Sequence, residues 1–191
     1  MNRYKLYIFD MGGVVTSTAV LGKRMGEVLG IQESDFEEYS KGIFEQLSDG
    51  VISTKEFWRI FSERSGKTVT TDWWHWLFHP EPKEDTCSVI RKLKSMGCRV
   101  VCGTNTIDSH YRSHCERGDY QIFDQTYSSF LMGVSKPDVR FWQIILEAEN
   151  VRPEDAVFID DTQKNCDAAA SLGIHTVHFT DAKSLAAELG L

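Results

Sequence analysis

Leu6, Tyr7, Ile8 and Phe9 form an unbroken, β-prone apolar run that ends on Asp10 and leads into Gly12 and Gly13. A strand this short, with no polar residue alternating along it, is buried on both faces, as strands are in parallel sheets covered by helices. In such sheets ligands bind at the carboxyl edge, where the loops leaving the strands converge. Asp10 stands at that edge, and the two glycines let the backbone turn sharply and approach a ligand. A simple turn or helix cap would also accept an Asp here, so the choice falls to the rest of the chain.

From Glu84 onward, helical and strand patterns alternate. Helical periodicity covers residues 84–96, 109–116, 138–149, 162–172 and 185–189, with Gly97 and Gly173 as stops. Strand patterns cover 99–103, 125–128, 156–159 and 175–179. This order specifies an α/β fold, a Rossmann-like doubly wound parallel sheet with helices on both faces.

Residues 16–83 read differently, as helices without a convincing strand. Met25, Val28 and Leu29 precede a Gly30 stop. Residues 34–47 read as one helix capped by Ser34 with Glu37 completing the box, and a second box, Ser53 with Glu56, opens a helix carrying Phe57, Ile60 and Phe61. Trp73, Trp74, Trp76, Leu77 and Phe78 would make a helix apolar almost all round, which must be covered on most sides. His75 and His79 read as polar neighbours of that packing. The expected organisation is a core of residues 1–15 and 84–191 with a small α-helical cap, 16–83, inserted after the first strand.

Composition excludes several classes. At 191 residues, 41% hydrophobic and 26% charged, the chain suits one folded unit with a modest insertion. A net charge of -7 lacks the basic stripe of a nucleic-acid surface. No apolar run approaches the roughly 18 residues of a membrane span. The amino-terminal apolar segment is too short for a signal peptide, so a cytoplasmic location is expected. Five cysteines, with no CxxC pair, indicate reduced, packed thiols rather than a disulfide or zinc framework.

Polar groups recur just past the strand ends: Asp10, then Thr104 and Asn105, then Asp160 and Asp161. Strands sharing one orientation deliver them to one edge. Adjacent carboxylates repel unless a cation relieves them, and magnesium suits the pair because it takes carboxylate oxygens while keeping waters and a substrate phosphate. Helix N-capping by Asp161 or Thr162 is the plainer alternative. Lys136, before Pro137, could aim its charge at a phosphate or at Asp10, and Thr104 could add a hydroxyl donor.

In this order the pieces resemble the four motifs of the haloacid dehalogenase superfamily, over essentially the whole chain. Phe-Asp-x-Gly-Gly-Val, Thr-Asn-Thr with His110 close behind, and Ser-Lys-Pro resemble the branch of small-cap sugar-phosphate phosphatases, of the α-D-glucose-1-phosphate phosphatase type, and the phosphatase domain of soluble epoxide hydrolases. The resemblance implies a phosphatase acting on a small phosphate ester through an aspartyl-phosphate. Asp10 would be the nucleophile; Thr104, Asn105, Lys136 and His110 would bind the substrate; Asp10, Gly12, Asp160 and Asp161 would hold Mg2+.

One position departs from the family pattern. Most phosphatases of this superfamily carry a second Asp two residues after the nucleophile as general acid and base, and this chain has Gly12. Losing such a group typically costs on the order of a hundred- to ten-thousand-fold in rate. A good leaving group, such as an anomeric, acyl or activated aryl phosphate, would tolerate the loss; alternatively His110 would substitute, since an ordinary histidine pKa suits that task. A metal-free 2-haloacid dehalogenase and a regulatory protein on a phosphatase scaffold are the rival readings. The dehalogenase would need a basic cradle, for which Lys23 and Arg24 are the nearest residues.

Overall fold

The computed structural model describes residues 4–191; residues 1–3, assigned above to the core, lie outside the described residues. Strands β1 (Leu6–Phe9), β2 (Arg99–Thr104), β3 (Gln125–Ser128), β4 (Ala156–Asp160) and β5 (His175–His178) form one sheet in the order β3-β2-β1-β4-β5. Every pairing is parallel, and Ile8 of β1 lies between Val101 and Phe158. The chain winds from β1 through β2 to β3, then returns across the sheet to β4 and β5. Its direction therefore reverses between β1 and β4, which leaves a crevice at the carboxyl ends of those two strands.

Successive residues of β1 face opposite sides of the sheet. Leu6 and Ile8 pack with Phe141, Trp142 and Ile145 of a helix on one face, α9 (Arg140–Glu149). Tyr7 and Phe9 pack on the other with Ile90 and Leu93 of α6 (Glu84–Ser95) and Leu185 of α11 (Ala182–Leu189). Burial on both faces explains why the strand needed four consecutive apolar residues. Cys87, Cys98, Cys102 and Cys166 are buried thiols, and only Cys115 is exposed. Among the described residues, no helix is long and apolar enough to cross a membrane.

Between β1 and α6 lie five helices: α1 (Gly22–Leu29), α2 (Glu33–Ser40), α3 (Ile43–Ser48), α4 (Thr54–Ser65) and α5 (Trp73–Trp76). Their apolar faces meet in a third cluster built on Met25, Phe36, Leu47, Phe57, Phe61 and Trp74. Ile107, which follows β2, joins the same cluster, so this helical layer is seated on the sheet's loops. Edge-on ring contacts, such as Phe57 with Trp74 at 5.6 Å, give it specific geometry as well as buried area.

Three local expectations are corrected. The single helix over 34–47 is two helices, because Gly42 takes a left-handed conformation (φ 76°) and turns the chain between them. Its cap is Gln32 rather than Ser34: the Gln32 N–H donates to the Asp35 carboxylate at 3.4 Å. Ser53 does cap α4, accepting from the Glu56 N–H at 3.2 Å, but the Glu56 carboxylate binds Arg59 instead of closing the box. The tryptophan run forms a single turn that is covered on most sides, as expected: Trp74 and Leu77 are buried, Trp73 and Phe78 partly so, and Trp76 alone of its apolar residues is exposed.

Phe57 is fully buried at the centre of the third cluster. Phe57→Ala is expected to destabilise the protein by about 3–5 kcal/mol, read as a lower urea midpoint.

Candidate active site

Asp10 leaves β1 at the point where the sheet reverses, and its N–H donates to the Ile159 carbonyl of β4 at 2.8 Å. Lys136 reaches the same point from the segment between α8 (Ser129–Met132) and α9. Its Nζ donates to Asp10 Oδ1 at 2.7 Å, Asp160 Oδ2 at 2.8 Å and the Gly103 carbonyl at 3.0 Å. All three ammonium donors are thus used, and the side chain is only 2% exposed.

Asn105 holds the Lys136 backbone from both sides. Its Nδ2 donates to the Lys136 carbonyl at 2.9 Å, and the Lys136 N–H donates to its Oδ1 at 2.8 Å. Asn105, expected to bind substrate, is exposed on the cavity and also orients the lysine. Ser135, the preceding residue, hydrogen-bonds Asp49 and the Ser48 hydroxyl, so the turn after α3 also braces this segment.

The acidic pair divides its work. Asp160 is completely buried. Its Oδ2 meets Lys136, its Oδ1 accepts from the Thr162 N–H at 2.8 Å, and Asn165 Nδ2 lies 3.1 and 3.2 Å from the two oxygens. Asp161 is exposed at the cavity, beside Gly13. A β-carbon at Gly13 would overlap the Asp161 carboxylate, and its φ of +82° disfavours any other residue. The Lys83 ammonium binds the Gly13 carbonyl and steadies that turn.

One oxygen from each of Asp10, Asp160 and Asp161 lies within 4.8 Å of the others. All-oxygen donors of this charge fit magnesium. Asp160 is already occupied by Lys136 and Asn165, which leaves Asp10, Asp161 and the Gly12 carbonyl as the more open donors; among the described residues that carbonyl accepts no hydrogen bond. Thr104, 4% exposed, lines the same cavity, and its Oγ1 has only a long contact of 3.4 Å to the Asn105 carbonyl.

Electrostatics follow from this enclosure. Burial raises the Asp10 carboxyl, Lys136 pulls it back and Asp160 pushes it up again, leaving it at about 6. His110, on α7 (Asp108–Arg117), also lines the cavity, but its pKa is far from ordinary. Burial, and next the neighbouring His114, push it down to about 3 against the pull of the Trp74 backbone. The premise that its pKa suits proton transfer is therefore not met.

Sequence reasoning missed Asn165, which steadies Asp160 from the first turn of α10 (Gln163–Ala170), and the Gly13–Asp161 contact. An amide five residues after Asp160, at a helix start, was the available signal for the former. The latter carried none, because the two residues are distant in sequence.

A parallel α/β sheet thus gathers a carboxylate, a buried lysine and a cluster of carboxylate oxygens at its switch point. The chain belongs to the haloacid dehalogenase-like hydrolases, whose family pattern it matches over residues 4–173. It is 26% identical to a sesquiterpene phosphatase of Aspergillus oryzae, over 97% of this chain and 95% of that one. It is 24% identical to a D-ribitol-5-phosphate phosphatase of Bacteroides thetaiotaomicron, over 90% of each. Among solved structures, an enzyme of the same family from B. thetaiotaomicron, in complex with magnesium and inorganic phosphate, superposes with a TM-score of 0.78 at 27% identity, covering 95% of this chain and 98% of that one.

Removing the lysine would leave Asp10 and Asp160 as uncompensated buried carboxylates. Lys136→Met is expected to cost about 3–5 kcal/mol in urea unfolding at pH 8 with a chelator present. Adding Asp10→Asn should recover part of that loss.

Proposed function

We propose that this protein is a magnesium-dependent phosphatase that cleaves a small phosphate monoester through an aspartyl-phosphate on Asp10. The observation that carries the reading is the convergence of Asp10, Lys136, Thr104 and Asp161 on one cavity of about 360 Å3. The phosphatases among its relatives, and the family member holding magnesium and phosphate, support it.

Asp10 attacks phosphorus in line, forming an acyl phosphate as the ester oxygen leaves with its electron pair. Lys136 and the Thr104 hydroxyl face the developing charge on the transferred group. Water then attacks the acyl phosphate, releasing inorganic phosphate and restoring the Asp10 carboxylate. Asp10, Asp161 and the Gly12 carbonyl would hold magnesium, which neutralises phosphoryl charge when bound. Asp160 and Asn105 act through Lys136, fixing its head and its backbone. The helices of 16–83 act as a small cap over the cavity mouth.

A carboxyl for proton transfer is missing at Gly12, and the enclosed, half-buried ring of His110, its pKa pushed down to about 3, is neutral. The leaving group must therefore depart with little protonation, which favours anomeric, acyl or aryl phosphates over alkyl ones. No arginine lines the cavity among the described residues, and Arg24 donates instead to the Leu77 carbonyl at 3.2 Å. That arrangement favours phosphoryl transfer over dehalogenation, which would need a basic cradle for halide and carboxylate.

Phosphate release is expected to require magnesium and to vanish in Asp10→Asn. A β-carbon at Gly12 meets nothing within 4 Å, so an acid can be installed there. Gly12→Asp is expected to raise kcat for alkyl phosphates at least tenfold while changing anomeric and aryl phosphates much less. Equal turnover of alkyl and anomeric phosphates by the native protein would refute the leaving-group argument.

A further inference from the structure

Resting on the phosphatase reading, we propose that Phe78 and His110 form an uncharged ring wall that selects monophosphate esters whose leaving group carries no further charge. Phe78 follows α5 and His110 sits on α7, yet their rings stack at 3.9 Å with an interplanar angle of 10°. Both line the cavity that holds Asp10. Trp74 meets His110 edge-on at 5.8 Å and His114 meets Phe78 edge-on at 5.0 Å, so the pair is fixed from outside.

Neither histidine brings a charge to this wall at neutral pH. His110 Nε2 is buried without a hydrogen-bond partner among the described residues, and protonating it would bury an uncompensated cation. His114 contacts Asp119 through Nδ1 at 2.7 Å, and burial lowers its pKa despite that partner. One face of each ring is covered by the other, and what the pair offers the cavity is uncharged, largely apolar surface, which suits apolar or planar groups and gives an anion no partner.

The remaining charges point the same way. Asp10, Asp161 and Lys136 are the charged side chains lining the cavity, and the ammonium of Lys136 is fully engaged by Asp10, Asp160 and the Gly103 carbonyl. A second phosphate or a carboxylate on the leaving group would lose hydration against the rings with no counter-ion on that wall. An uncharged leaving group loses nothing comparable, and an aromatic one gains apolar surface to pack against.

The test compares phenyl phosphate, 4-carboxyphenyl phosphate and acetyl phosphate, each with magnesium, in the native protein and in Phe78→Ala. The native kcat/KM is expected to be at least tenfold higher for phenyl than for 4-carboxyphenyl phosphate, mainly through KM. Acetyl phosphate is too short to use the wall fully, so Phe78→Ala should lower kcat/KM at least ten times further for phenyl phosphate than for acetyl phosphate. Phe78→Leu keeps apolar bulk without a ring and should give the same split if the alanine variant does not fold. Phe78→Arg, which supplies a counter-charge, should raise 4-carboxyphenyl relative to phenyl phosphate. Equal native constants for the two aryl esters, or parallel losses in the Phe78 variants, overturn the wall while leaving the phosphatase reading intact. No phosphate release from any of the three esters overturns both.

Discussion

The buried ammonium of Lys136 is the contact on which the rest of the site depends. It lies between Asp10 and Asp160, at 2.7 and 2.8 Å, in a place where either carboxylate alone would be expensive to ionise. Its position is set by groups from across the fold: β1 supplies Asp10, β2 the Gly103 carbonyl, β4 Asp160, and the Asn105 amide clamps its backbone. Parallel pairing puts these groups at one edge without any of them being close in sequence.

This arrangement separates two roles that adjacent acids often share. Asp160 is enclosed and serves the lysine, whereas Asp161 is open to the cavity. Gly13 leaves room for the Asp161 carboxylate, and a β-carbon at Gly12, two residues after Asp10, would meet nothing within 4 Å. The site is thus well furnished for charge and poorly furnished for proton transfer. Its wall of stacked Phe78 and His110 adds a neutral surface, and the imbalance between the two halves of the cavity directs the substrate argument.

Much of the fold was legible because local pattern and tertiary environment agree there. The four apolar residues of β1, the strand–helix alternation after Glu84 and the glycine stops all reflect burial and backbone geometry that act over a few residues. Agreement failed where several local signals competed. Ser34 and Glu37 made a plausible box, but Gln32 and Asp35, two residues earlier, start α2, and Gly42 interrupts the apolar periodicity that runs on through Phe44 and Leu47.

Alone, the sequence determined which chemical groups follow which strands, since strand ends and turn residues are encoded locally: Asp10 after β1, Thr104 and Asn105 at the end of β2, Asp160 and Asp161 at the end of β4. It determined equally that no carboxyl stands at Gly12. Only the tertiary structure decided which of those groups face the cavity and which support a neighbour. Asp160 turns to Lys136, Asn105 lines the cavity and clamps the lysine at once, and His110 becomes a half-buried ring held neutral, because hydrogen-bond partners and desolvation come from segments dozens of residues away. Side-chain identity is a property of the chain; side-chain environment, and with it protonation and role, is a property of the packed fold.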